Sequence, residues 1–168
     1  MKKKQVCIIG NNSSATDKAI TIAYETGKAV AQLDMILVCG GMGGIMESAC
    51  KGAVENGGIT IGIIPGTDKS TANPFCTIVI PTGIGYARNM VNVLAGDLTV
   101  AIGGGAGTLN EIAYAWQFNK PVYAFKGIPG WADKLADTKI DDKYNGVIIG
   151  VDSVQDLIRK IKRDFNIK

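Results

Sequence analysis

Short, uninterrupted apolar runs rich in β-branched residues recur along this chain, separated by stretches whose apolar positions fall three and four residues apart. The runs cover residues 6–9, 35–39, 59–64, 77–80, 98–102, 122–125 and 147–149, and they predict strands. The periodic stretches, near 16–31, 44–56, 86–95, 107–118 and 154–164, predict helices. Continuous rather than alternating apolar strands indicate burial on both faces, and strands alternating with helices form βαβ units. Right-handed crossovers leave little topological freedom. The pattern therefore predicts an α/β architecture: a Rossmann-like, doubly wound, mostly parallel sheet with helices on both faces. No repeat or linker interrupts it, so residues 1–168 read as one domain.

In such a sheet, ligands bind at the carboxyl ends of the strands, near the point where strand order reverses. The small and hydroxyl residues of this chain collect there. Gly10-Asn11-Asn12-Ser13-Ser14 follows the first predicted strand and Gly40-Gly41-Met42-Gly43-Gly44 the second. Pro65-Gly66-Thr67 follows the third, and Gly103-Gly104-Gly105-Ala106-Gly107-Thr108 the fifth. At that last handover, backbone N–H groups converge and the helix N-terminus adds roughly half a positive charge. Glycine permits the tight turn and the close approach of a phosphate, and Thr108 adds a hydroxyl. Glu111 lies about one helical turn beyond Gly107 and faces back toward the same mouth. A carboxylate beside an anion site costs energy unless it caps the helix or takes part in chemistry. The motif thus predicts a phosphate site first and a catalyst second.

Composition adds exclusions. With 46% hydrophobic residues and five prolines in 168, the chain is an ordered globule, and its 22 glycines sit at strand ends rather than in low-complexity tracts. The net charge of +3 is weak, and Lys2-Lys3-Lys4 and Arg159, Lys160, Lys162 and Arg163 lie near the chain ends without interleaved aromatics. Nucleic acid is therefore not an expected partner. Cys7, Cys39, Cys50 and Cys76 show no C-x-x-C spacing, and Cys7 and Cys39 read as small buried hydrophobes. Histidine is absent, which rules out a His-based triad and leaves few zinc ligands; no metal and no cofactor of its own is expected. No apolar stretch is long enough to span a bilayer, and the run after Lys2–Lys4 is too short for a leader, so a cytoplasmic protein without membrane contact is expected. The segment 125–142 has no clear period; its Gly127-Ile128-Pro129-Gly130-Trp131 reads as a turn with an aromatic anchor, serving as lid, oligomer contact or surface packing.

Two common nucleotide motifs fail. Neither glycine cluster ends in Gly-Lys-Ser/Thr, and the first βα turn lacks G-x-G-x-x-G, with Cys39-Gly40 rather than an acid closing the second strand. A third pattern fits. Gly104-Gly105-Ala106-Gly107-Thr108-Leu109-Asn110-Glu111 resembles the Gly-Gly-x-Gly-Thr-x-x-Glu signature of the LOG family, the cytokinin riboside 5′-monophosphate phosphoribohydrolases long mislabelled as lysine decarboxylases. Gly40-Gly41-Met42-Gly43-Gly44-Ile45-Met46 is similar to the family's turn after the second strand. Asn56-Gly57-Gly58-Ile59-Thr60-Ile61-Gly62-Ile63-Ile64-Pro65 is similar to its next strand and turn. Arg88 stands 23 residues before Glu111, where the family carries an essential arginine. The resemblance covers roughly residues 6–125. Gly103 in place of proline, Asn89 in place of lysine and Glu47 in place of glycine look like a side branch near the molybdenum cofactor carrier proteins, related in fold to the DNA-processing protein DprA.

The resemblance implies a nucleoside 5′-monophosphate hydrolysed at its N-glycosidic bond to free base and ribose 5-phosphate. It places Gly104, Gly105, Gly107 and Thr108 on the phosphate, with Ser13, Ser14, Gly41, Gly43 and Gly44 completing the nucleotide cradle. Arg88 and Glu111 are then the catalytic pair; Glu47 is either a second carboxylate or ordinary first-turn helix charge. The alternative is a non-catalytic nucleotide or molybdenum-cofactor carrier built on the same glycines. Nothing marks a pyridoxal-phosphate lysine. The resemblance also implies a homodimer or higher homo-oligomer, for which Met90, Val91 and Leu94 are apolar positions that suit core equally well.

Overall fold

The computed structural model describes residues 2–167. Seven strands, β1 (Gln5–Gly10), β2 (Ile36–Cys39), β3 (Thr60–Ile64), β4 (Ile78–Pro81), β5 (Leu98–Ile102), β6 (Val122–Phe125) and β7 (Ile149–Val151), form a single sheet in the order β4-β3-β2-β1-β5-β6-β7. Every pairing is parallel. Among the described residues six α-helices accompany them: α1 (Asp17–Gln32), α2 (Ile45–Val54), α3 (Arg88–Ala95), α4 (Ala106–Gln117), α5 (Trp131–Leu135) and, after the last strand, α6 (Val154–Phe165). Strands β1 to β4 wind outward to one side of β1, and the chain then crosses to lay β5 against its other side. The order therefore reverses between β1 and β5, where Gly10 pairs with Ile102. The loops leaving these two strands flank the crevice that such a reversal opens.

Alternation along the strands divides the core. Val6 and Ile8 of β1, with Leu98 and Val100 of β5, pack against Ala19 and Ala23 of α1, Ala49 of α2 and Leu157 of α6. Cys7 and Ile9 point the other way, onto Val93 of α3, Ile112 and Ala115 of α4 and Ala132 of α5. Both faces of the central strands are thus covered, which is why they carry no polar alternation; the edge strand β4 departs from the expectation, with Ile78 and Ile80 exposed. Helix ends follow local chemistry: Thr16 caps α1 by accepting from the Ala19 N–H, and Ser153 caps α6 by accepting from the Asp156 N–H.

Most bounds shift by a residue or two, and three departures from the sequence pattern have a local cause. The last strand is displaced from 147–149 to Ile149–Val151 because Ile148 bonds through both its backbone groups to Asp137 and Thr138, and only then does the chain reach β6. A 3₁₀ turn, Gly85–Ala87, precedes α3, which begins at Arg88. The aperiodic segment contains the short helix α5, too brief to show a period. On α3, Met90 and Leu94 face outward rather than into the core. Among the described residues, no helix is long and apolar enough to cross a membrane.

Candidate functional site

A cavity of about 550 Å³ opens at the carboxyl edge of the sheet over the β1/β5 crevice. The β1–α1 loop (residues 10–14), Met42 and Met46 from the β2–α2 region, and Pro65 after β3 supply part of its wall. Gly85, Tyr86, Arg88 and Asn89 from the start of α3, and Gly105, Gly107, Thr108 and Glu111 of α4, supply the rest. Its size is that of an ordinary ligand pocket.

The walls are joined by side chains that reach between loops. Asn11 Oδ1 accepts from the Gly104 N–H at 2.7 Å, and Asn12 Oδ1 accepts from the Gly43 N–H at 2.8 Å. Behind the glycine turn, the N–H groups of Trp131 and Ala132 donate to the Gly104 and Gly103 carbonyls, each at 3.0 Å. The Gly127–Trp131 segment therefore packs behind the turn as a buttress, with Ile128 buried beneath it. Gly105 stands at the N-cap of α4, which has no side-chain cap and no acidic residue in its first turn. Its exposed N-terminal residues line the cavity, so unpaired N–H groups and the positive end of the helix dipole are presented to an anion.

Of the residues expected from sequence, Ser13, Ser14, Arg88, Gly105, Gly107, Thr108 and Glu111 line this cavity together. The other glycines stand outside its lining and build the turns. The Gly104 N–H is taken by Asn11, and at its left-handed φ of +96° an added Cβ would strike the Thr108 side chain. Gly41 donates its N–H to Cys39 Sγ, Gly43 is held by Asn12, and Gly44, at φ +59°, lies against the carbonyls of Asn11 and Asn12. Glu47 lines a separate hollow between α1 and α2 with Tyr24, Lys51 and Phe75, away from Glu111. Asn11, Asn12, Met42, Met46 and Tyr86 also line the cavity, and no local sequence signal gives them that role.

Arg88 and Glu111 are both withdrawn from solvent, at 8% and 7% exposure. The Arg88 guanidinium donates to the Gly40 carbonyl at 3.2 Å and to Asn89 Oδ1 at 2.7 Å. A Cβ at position 40 would come within 2.6 Å of that guanidinium, so glycine there makes its room. Arg88 Nη1 lies 3.8 Å from Glu111 Oε1, a charge contact rather than a hydrogen bond, and Arg88 Nε has no partner. Glu111 Oε1 accepts from Asn92 Nδ2 at 2.9 Å. Burial pushes the Glu111 carboxyl up to about 7, with the Asn92 hydrogen bond and the Arg88 charge opposing the shift.

The SLOG cluster4 family profile matches residues 3–158. An uncharacterized protein of Archaeoglobus fulgidus is 38% identical over 126 residues, covering 75% of this chain and 82% of that protein. The cytokinin riboside 5′-monophosphate phosphoribohydrolase of Mycobacterium tuberculosis is 28% identical over 157 residues, covering 83% of each. Among solved structures, the molybdenum cofactor binding protein of Rippkaea orientalis superposes with a TM-score of 0.87 at 32% identity, covering 98% of this chain and 99% of that one. The molybdenum cofactor carrier protein of Chlamydomonas reinhardtii gives 0.81 at 29% identity over 98% and 99%. DNA processing protein A of Helicobacter pylori gives 0.73 at 15% identity, covering 96% of this chain and 81% of that one.

The expected kinship with LOG-type and carrier proteins, and the likeness in fold to DprA, are borne out. Two expectations change. Of the activities the resemblance implied, the carrier alternative is better supported than hydrolysis. The expectation against nucleic acid is corrected: the Helicobacter pylori protein, whose structure describes a single-stranded DNA binding mode, has this fold, so weak charge and sparse aromatics do not exclude nucleic acid. At 15% identity that likeness shows the fold alone.

Proposed function

The chain belongs to the SLOG cluster4 family, and on that premise we propose that it is a binding or carrier protein for a phosphorylated cofactor of the molybdopterin kind. The observation that carries this reading is that the cavity presents an uncapped helix start to an anion, while among the described residues Glu111 is the only acid in its lining.

For a carrier the same residues have simpler work. The uncapped start of α4, at Gly105, Gly107 and Thr108, takes the phosphate. Asn12, Ser13 and Ser14 offer polar contacts, while Met42, Met46 and the 88% exposed Tyr86 offer apolar surface to a flat ring system. The likeness to cofactor-binding proteins at about 30% identity over nearly the whole chain supports this assignment.

Hydrolysis of a nucleoside 5′-monophosphate is the second reading. It is favoured by Glu111 itself, since a carboxyl near 7 beside Arg88 suits proton transfer at neutral pH, and by the Mycobacterium tuberculosis relative.

One experiment separates the two. The protein and its Glu111→Gln variant are incubated anaerobically with molybdenum cofactor released from a molybdoenzyme, desalted, and assayed for bound molybdenum and oxidised-pterin fluorescence. In parallel both are incubated with nucleoside 5′-monophosphates and assayed for free base. Cofactor retained by both proteins, with no base released, is the expected result. Base release that disappears in Glu111→Gln, with no cofactor retained by either, overturns the carrier reading.

A further inference from the structure

Three sulfurs far apart in sequence converge beneath the β2–α2 turn. Cys39 closes β2, Cys50 lies on α2 and Cys76 sits just before β4, and their Sγ atoms all lie within 4.8 Å of one another. All three are free thiols, and the Cys39 and Cys50 sulfurs are 3.5 Å apart, well beyond the roughly 2.05 Å of a disulfide. A metal about 2.3 Å from each of three sulfurs in a trigonal arrangement requires the sulfurs to be about 4.0 Å apart. The 3.5 Å pair, with every other pair within 4.8 Å, is compatible with that requirement.

The surroundings hold this arrangement. Gly62 stands inside β3, where glycine normally weakens a strand, and a Cβ there would come within 2.5 Å of Cys76 Sγ. The Gly41 N–H donates to Cys39 Sγ at 3.3 Å, the kind of bond that steadies a ligating thiolate. Asn73 fixes the loop that carries Cys76: its N–H donates to the Gly41 carbonyl at 2.8 Å and its side-chain amide to the Met42 carbonyl at 3.0 Å. Cys39 and Cys50 are fully buried, whereas Cys76 is partly exposed and gives the group a way in. Cysteine is also an ordinary small core residue. That role explains each burial singly, but not why three elements aim their sulfurs at one point and β3 gives up a side chain to admit the third.

We propose that Cys39, Cys50 and Cys76 form a three-thiolate site for a single soft cation, with Cu(I) as its preferred occupant. The donor set decides the metal class: all-sulfur ligation selects soft ions. Among the described residues no fourth cysteine, histidine or carboxylate joins the group, and structural zinc sites take four ligands. Each thiol releases its proton to solvent as it ligates. The site is separate from the cavity over the β1/β5 crevice and does not depend on what that cavity binds.

The test is an anaerobic titration of the reduced full-length protein with Cu(I) in competition with bicinchoninate, followed by X-ray absorption at the copper edge. The expected result is a single equivalent withheld from the chelator, with a sulfur-only shell at about 2.3 Å. Cys76→Ser lowers that affinity by roughly a hundredfold or more, while Cys7→Ser, on the opposite face of the sheet, leaves it unchanged. Cys76 is the least buried of the three, and circular dichroism checks that its variant folds; Cys50→Ala provides the second, independent loss. Failure of the wild type to withhold copper, or wild-type binding in both Cys76→Ser and Cys50→Ala, overturns the proposal.

Discussion

Asn11 Oδ1 accepts the backbone N–H of Gly104 at 2.7 Å, joining residues 93 positions apart across the point where strand order reverses. This bond ties the loop after β1 to the glycine turn that starts α4, so that turn is held by a side chain that belongs to neither glycine motif. Asn11→Ala leaves the Gly104 N–H without its acceptor and is expected to lower stability by about 1–2 kcal/mol in urea unfolding. Asn11→Asp keeps an acceptor and the stability, but places a negative charge beside the α4 N-terminus. The stabilisation by inorganic phosphate in a thermal shift should then fall, and fall most at low salt.

Glu111 sets a pH dependence with a definite sign. Its carboxyl is raised from 4.5 to about 7 in the folded protein, so between those values the folded state binds a proton that the unfolded chain has lost. Stability therefore declines as pH rises through that window and stays at the lower level above it; below it the group contributes no difference. At about 1.4 kcal/mol per pH unit, the decline has a ceiling of roughly 3 kcal/mol. Glu111→Gln removes the titration, so its unfolding free energy should change less than that of the wild type between about pH 5 and pH 8. Equal slopes for the two proteins would mean that Glu111 titrates normally.

Much of this architecture is legible in the sequence because its central strands are buried on both faces. Residues 98–102 and 122–125 stand as strands with the bounds their apolar runs predict. Where hydrogen bonding outside the sheet competes, as at Ile148 with Asp137 and Thr138, the pattern misplaces the strand by two residues. The glycine signature before α4 marks a cavity wall, yet the residues that brace it are invisible locally. Asn12 acts on Gly43, 31 positions away, and nothing in either segment announces the contact. The glycines after β2 read as places where a ligand comes close. What comes close at Gly44 is the backbone of residues 11 and 12. The converging cysteines are hidden for the same reason: their spacing along the chain carries no metal motif, and only the sheet order brings them together.

Two glycines inside predicted helices look like simple losses of helix propensity. Gly27 of α1 faces the Ala49 backbone of α2, and Gly52 of α2 faces the Tyr24 backbone of α1, so that a Cβ at either would strike main chain. Neither neighbour can rotate away. Gly27→Ala or Gly52→Ala should therefore destabilise by about 3 kcal/mol, the upper end for overpacking, despite alanine's better helix propensity. Urea unfolding checks this; a gain in stability would mean that the two helices separate at little cost.

The glycine turn itself allows a sharper contrast. Gly107 is exposed in the first turn of α4, lines the cavity, and has nothing within 4 Å of where a Cβ would stand. Gly107→Ala should raise stability by about 0.5 kcal/mol through helix propensity. The added methyl stands on the wall where the helix dipole draws an anion, so affinity for a phosphorylated ligand should fall about tenfold, or ~1.4 kcal/mol. Gly104→Ala acts in the opposite direction on the fold: at φ +96° its methyl would strike the Thr108 side chain, and the left-handed backbone alone costs about 1–2 kcal/mol. Displacing Thr108 should remove ligand binding as well. The pair thus moves stability in opposite directions while weakening binding in both cases, which thermal unfolding and ligand titration resolve separately. Undiminished binding by Gly107→Ala would move the anion away from the start of α4.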